Sequence, residues 1–326
     1  MTIYIYSPIT GPTGGTELLQ QFCSIARSKG HDAVMLYEGN PVGSPILDKF
    51  GRYDNPYVTD FVDVEGNSVL IPEHYAEFCY KVKHAKCAIW WMSVDNYWGA
   101  PYQPDGYSYK DLYRVIRRLI YRPVHFRNRK QFKQYLHFYQ SEYARLYVSK
   151  EFGIKPDRLF ALSDYISTDY CENELSVKRD YVLYNPKKGI KYTKQLIKAD
   201  PSIQWTPLIG YSLEELVSLM QESKLYIDFG GHPGKDRLPR EAAACGCCII
   251  TGRRGAAANS IDVPIAEEMK IDKFDVGDVL HRIRTVLSDY EAEYSCFGSY
   301  RELISEEKNI FEQETVKAIS LLTSAR

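Results

Sequence analysis

The sequence predicts an α/β protein made of two halves, each a parallel sheet covered by helices. Three observations predict it. Segments 2–6 and 33–37 read as strands, with a glycine-rich turn and an amphipathic helix between them. Segments 225–229 and 247–251 repeat that strand–loop–helix–strand order, the pattern of a βαβ unit. Strands continue to alternate with helices through both halves, as packed parallel sheets require. The expectation is two Rossmann-like domains facing a cleft, residues 1–170 and 171–326.

Taken in order, TIYIYSP alternates as a half-buried strand does, and TGPTGGTE turns the chain. Gly11, Gly14 and Gly15 are not spaced as GxGxxG, and no GK[ST] follows, so neither a dinucleotide fingerprint nor a P-loop is present. A helix over 18–28 ends at Gly30, and 33–37 is the next strand. CAIWWMS, 87–93, reads as a buried strand ending at Val94, Asp95 and Asn96. SEYARLYV and RLFALSDYIS supply a helix and a strand, and the polar stretch 169–174 suits a linker. The second half opens with a strand over 180–184, the turn NPKKG and a helix over 192–198. A helix over 212–221 precedes the second βαβ unit, and a charged helical stretch follows from residue 300.

Composition narrows the function classes. With 326 residues and a net charge of -1, the chain has no field that would recruit nucleic acid. It has no apolar run of membrane-spanning length and no basic leader before its first strand, so it is expected to be cytoplasmic. The eight cysteines read as reduced core residues. Cys245, Cys247 and Cys248 lack paired CxxC spacing, so they are assigned to strand packing and no metal site is expected. The 27 tyrosines suit stacking on sugars or bases, and they serve cores and interfaces equally well.

The second βαβ loop carries the chemistry. Lys235, Arg237 and Arg240 gather between a strand end and a helix whose first turn holds Pro239 and Glu241. Ligands of open α/β sheets bind at the carboxyl ends of strands. Backbone N–H groups at a helix start, beside fixed cations, favour an anion. The expected ligand bears phosphate.

Four segments now resemble a known family, the GT-B fold glycosyltransferases, and in particular glycosyltransferase family 4. PTGGTELLQQ is similar to the family's Gly-Gly loop entering its first helix. QSEYARLYV followed by LSDYI is similar to the segment closing the first domain, and YNPKKG to the turn opening the nucleotide domain. PREAAACGCCIIT followed by GAAAN resembles the Glu-Ala-small-Gly-strand signature of the donor site. The resemblance implies a nucleotide-sugar donor, with Glu241 accepting hydrogen bonds from the ribose hydroxyls. It implies that Lys188, with Lys187 beside it, meets the phosphate, and that Gly14, Gly15 and the adjoining Thr16 approach the donor from the other domain. One departure stands out: where the family carries a glutamate eight residues before Glu241, this chain has Pro233.

The implied activity is transfer of a sugar to a glycan or lipid-linked acceptor, without metal or other cofactor, in the assembly of bacterial surface polysaccharide. The alternatives are a nucleotide-sugar epimerase of similar fold and a non-catalytic sugar-nucleotide-binding subunit. Several residues keep two readings. Asp95 either caps the following segment or is the base that activates the acceptor hydroxyl, with His74 and Glu17 as rivals. His232 either packs the loop or handles a proton at the donor. Segment 110–133 holds nine Lys or Arg, Arg114, Arg117, Arg118 and Arg122 among them, against the single acid Asp111. It reads as a contact for anionic membrane or a lipid-linked acceptor, or as a helix packing its apolar side on the domain.

Overall fold

A computed structural model describes residues 1–9, 14–39, 45–46, 48–98, 109–121, 129–170 and 176–324. Arg122, the side chain of Arg118 and positions 171–174 of the expected linker lie outside the described residues. The chain forms two compact units, Met1–Asp164 with Asn309–Arg326, and Tyr165–Lys308.

The first unit holds β1 (Ile3–Tyr6), β2 (Ala33–Leu36), β3 (Tyr57–Val58), β4 (Ser68–Pro72), β5 (Lys86–Trp91), β6 (Leu136–Tyr139) and β7 (Leu159–Ala161). They form one sheet in the order β3-β2-β1-β4-β5-β6-β7, every neighbouring pair parallel. All residues of β1 and β4 are buried, as expected where helices cover both faces. Trp90 and Trp91 of β5 are fully buried on opposite faces of their strand. Helix α1 (Gly14–Ser28) begins in the Gly-Gly turn itself, earlier than the expected residue 18. Helices α2 (Val94–Trp98), α3 (Tyr109–Tyr121) and α4 (Glu142–Phe152) follow. Ser141 caps α4 by accepting from the Ala144 N–H at 3.1 Å, and left-handed Gly153 ends it.

The second unit holds β8 (Arg179–Tyr184), β9 (Gln204–Pro207), β10 (Ser223–Asp228), β11 (Cys248–Gly252) and β12 (Lys270–Ile271). The order is β12-β11-β10-β8-β9, again parallel throughout. Helices α5 (Ile190–Ala199), α6 (Leu213–Glu222), α7 (Arg237–Ala244), α8 (Val276–Ser288) and α9 (Tyr290–Ser295) connect the strands and extend the unit. Ser212 and Glu215 form a reciprocal capping box at α6. Cys245, Cys247 and Cys248 are buried in the core, the packing role their spacing implied.

The domain expectation needs one correction. Helix α10 (Gly298–Thr323) was assigned wholly to the second half, yet its residues from 309 onward belong to the first unit. Phe311 stacks on Trp90 with centroids 6.3 Å apart. Glu314 accepts the Ser163 N–H and hydroxyl, each at 2.6 Å. Lys86 Nζ donates to the Leu321 and Ser324 carbonyls at 2.7 and 2.6 Å, a cation at a helix carboxyl end. These contacts join residues more than 150 positions apart, beyond the reach of local pattern.

Candidate functional site

In the second unit the turn after β8 and the turn after β10 interlock through glycine. Gly189 caps α5 at φ 61°, and a Cβ there would lie 2.6 Å from the Phe229 carbonyl carbon. A Cβ on Gly230 would lie 2.6 Å from Lys188 Cβ. Both positions exclude a side chain, so the two strand ends approach to backbone contact. The loop after β11 joins them, because Ala256 N–H donates to the His232 carbonyl at 2.8 Å. A Cβ on Gly255 would lie 2.0 Å from that carbonyl oxygen.

Around this cradle sit Asp228, His232, Asp236 and Lys188. Asp228 is buried and accepts from the Gly230 N–H at 2.8 Å and the Tyr226 hydroxyl at 3.1 Å. His232 is 1% exposed. Its Nδ1 lies 3.7 Å from Asp236 and its Nε2 4.0 Å from Asp228. The Lys188 ammonium pairs with the Asp236 carboxylate. Lys188 keeps 35% of its side chain exposed, so this pair sits where a ligand can reach it. Among the described residues, Asp228, His232 and Asp236 are the one group whose donor atoms approach closely enough to hold a metal. The Lys188 ammonium already neutralises Asp236, and the two carboxylates face different nitrogens of the imidazole.

The structure sorts the expected donor cations. Arg240 is 1% exposed, pairs with Glu307 at 2.7 Å, and donates to the Lys235 and Asp236 carbonyls at 2.8 and 3.2 Å. Lys235 pairs with the other oxygen of Glu307 at 3.0 Å. These two expected ligand contacts are thus tied to one buried carboxylate, 67 positions from Arg240 and 72 from Lys235. Arg237 is half-buried at the start of α7 and donates to the Tyr165 carbonyl at 3.4 Å. Glu241 is buried on α7. Its charge and Tyr170's burial raise the Tyr170 hydroxyl pKa, burial being the larger cause. Lys187 is exposed, its N–H bonded to the Asn185 side chain at 2.9 Å. Pro239 occupies the third position of α7, within the expected first turn, whereas Glu241 at the fifth lies beyond it because the helix starts at Arg237. Sequence reading missed Tyr192 and Arg254: the guanidinium lies 5.3 Å above the Tyr192 ring and donates to its hydroxyl at 2.7 Å. The signal was GRRGAAAN, whose two arginines precede the glycine at a strand end.

In the first unit a cavity of about 210 Å³ opens at the carboxyl ends of β1, β4 and β5, lined by Gly15, Thr16, Glu73, His74, Met92 and Asn96 among others. Gly15 and Thr16 lie in the first turn of α1, as expected of the Gly-Gly segment, and exposed Gly14 begins that turn. Glu73 was not foreseen, although its place directly after the apolar run SVLIP marked it as a carboxylate entering the interior. Its carboxyl accepts the Met92 N–H at 3.0 Å. Burial pushes its pKa up to about 7 against the hydrogen bonds that favour the charged form. His74 Nδ1 lies 3.1 Å from the Asn96 carbonyl oxygen. A carbonyl can only accept, so neutral His74 carries its proton on Nδ1 and its lone pair on Nε2. Asp95 sits in the first turn of α2 and is absent from the residues lining the cavity. Glu17 pairs with Arg52 and accepts the Tyr53 hydroxyl at 3.1 Å, a surface tie. Arg114 and Arg117 are exposed on α3.

No protein-family model and no curated protein matches the sequence. Solved structures do match. Sucrose-phosphate synthase from Thermosynechococcus elongatus is similar with a TM-score of 0.67, at 12% identity over 98% of each chain. HepE from Anabaena, solved in complex with UDP-glucose, is similar with a TM-score of 0.62, at 11% identity over 98% of this chain and 100% of that one. WaaG, a glycosyltransferase involved in lipopolysaccharide biosynthesis, gives a TM-score of 0.62, at 12% identity over the whole of both chains. At such identities the likeness establishes the architecture, and that architecture is the expected one.

Proposed function

The chain has the GT-B fold, and we propose that it transfers a sugar from a nucleotide-sugar donor to a glycan or lipid-linked acceptor in the assembly of surface polysaccharide. The observation that carries the reading is the glycine-locked cradle. Gly189 and Gly230 hold two strand ends at backbone contact, and the partly exposed Lys188 beside them pairs with Asp236. In this reading the donor phosphate takes the place of Asp236 as the partner of Lys188. Arg237 and the α7 N-terminus add to the stabilisation of charge on the leaving phosphate. Glu241 holds the ribose. His232 acts as a positioning residue, setting Asp236 and, through it, Lys188.

The donor's leaving group is met by side-chain and backbone donors, and the proposed transfer is metal-independent because the Lys188 ammonium supplies the positive charge that the phosphate requires. The cavity beside Gly15 and Thr16 takes the acceptor hydroxyl, with His74 Nε2 rather than Asp95 as the accepting base. Support for a nucleotide-sugar donor also comes from HepE, crystallised with UDP-glucose, and support for the surface-glycan setting from WaaG. In this reading the enzyme works in the cytoplasm, with peripheral contact at an anionic membrane.

A panel of UDP-, GDP-, ADP- and CMP-sugars tests it, reading released nucleotide with and without a lipid-linked acceptor. Acceptor-dependent release from one member supports transfer. Release of an altered free or nucleotide-bound sugar without acceptor points to the epimerase reading. Binding without turnover points to a non-catalytic subunit, the reading that Pro233 and the pairing of Lys235 and Arg240 with Glu307 would then favour.

A further inference from the structure

Helix α3 combines two features that the sequence left as alternatives. Tyr109, Leu112, Tyr113, Ile116 and Ile120 recur at the spacing that places side chains along one helical face, an arc of roughly 100°. An apolar face of this kind ordinarily packs on its own domain. Here these five side chains are between 45% and 89% exposed. Among the described side chains of α3, Val115 alone is buried. Arg117 borders the apolar arc, Arg114 lies further round the helix, and both are exposed. In sequence, 110–133 carries nine cations against one acid, in a chain whose net charge is -1.

We propose that α3 is an interfacial helix that docks on an anionic bilayer, with Tyr109, Leu112, Tyr113, Ile116 and Ile120 entering the headgroup and acyl boundary, Arg117 meeting lipid phosphates and Arg114 adding to the attraction. The charge complementarity selects an anionic surface, and the apolar arc makes the attachment one of insertion as well as attraction. The two tyrosines suit the interface, where an apolar ring and a polar tip are both satisfied. At 13 residues the helix is about 20 Å long and so lies on a membrane rather than across it. No helix among the described residues is long and apolar enough to cross one. The docking bears on the lipid-linked arm of the proposed function but stands on the helix alone.

The test is sedimentation of the full chain with vesicles of phosphatidylcholine alone, or mixed with phosphatidylglycerol, at low and high salt. Binding to the anionic vesicles is expected, reduced but not abolished by salt. Ile116→Glu combined with Ile120→Glu should lower it on the order of tenfold or more at both salt levels. Arg114→Glu with Arg117→Glu should lower it at low salt by at least about fivefold per cation, and little at high salt. A Tyr113→Trp reporter should shift to the blue on binding. All these residues are exposed, so circular dichroism and nucleotide affinity should match the parent. A failed nucleotide assay with intact vesicle binding would sink the transferase reading and leave the docking standing. Absence of vesicle binding at low salt overturns the docking. So does a dimer in sedimentation velocity that the isoleucine variant dissociates while vesicle binding is unchanged, because the arc would then be a contact between copies.

Discussion

Arg240 and Glu307 form a 2.7 Å ion pair with side chains 1% and 2% exposed, and Lys235 closes on the same carboxylate at 3.0 Å. Two cations on one buried acid tie the α7 loop to α10 inside the second unit. Removing one member leaves a buried charge without its partner, which costs about 3–5 kcal/mol. Glu307→Gln and Arg240→Met are therefore expected to lower the denaturant midpoint strongly. A variant of Arg240 that keeps parental stability yet loses nucleotide would return this residue to the ligand.

Lys188 and Glu241 should separate from that pair by their readout. Lys188 is partly exposed and its partner Asp236 lies at the accessible end of the loop. Lys188→Ala and Glu241→Ala are expected to weaken nucleotide binding by about 1.5–3 kcal/mol each, the worth of a charge-assisted hydrogen bond. Calorimetry against UDP, GDP and ADP checks this, and unchanged affinity in both variants contradicts the donor site.

Gly255 has φ 61° and ψ -134°, a conformation reserved for glycine. A Cβ there would also strike the His232 carbonyl oxygen. Gly255→Ala should destabilise by several kcal/mol or unfold the loop that holds His232. Gly231→Ala is the control, since no atom lies within 4 Å of its added Cβ. Equal melting temperatures for the two variants would contradict the interlock.

Glu73 links stability to pH. Its folded pKa of about 7 exceeds the ordinary value of 4.5, so the unfolded chain gives up this proton first as pH rises. Stability is thus fully present below about pH 4.5 and falls as pH rises to about 7, where the loss levels off. Glu73→Gln keeps an acceptor for the Met92 N–H and removes the charge. It should abolish that slope and exceed the parent above pH 7 by on the order of 3 kcal/mol. Parallel unfolding curves for parent and variant across pH 5 to 8 would refute the assignment.

What local pattern could carry, the sequence determined. The two βαβ units, the caps at Ser141 and Ser212, and the glycine stops at Gly30 and Gly246 arise from residues a few positions apart, so periodicity and turn chemistry exposed them. The segments GGTE, YNPKKG and PREAAACG also fell at strand ends and helix starts, where they were expected. Tertiary structure decided which charges are available. Glu307 pairs with Arg240 and Lys235, and Arg52 with Glu17, through contacts that span 35 to 72 positions. It brought Glu73 and His74 to Gly15 and Thr16, and it left the apolar arc of α3 uncovered. The physical reason is that a side chain's charge state and exposure depend on what packs against it. Those neighbours come from distant segments whose meeting is fixed by the folded chain as a whole.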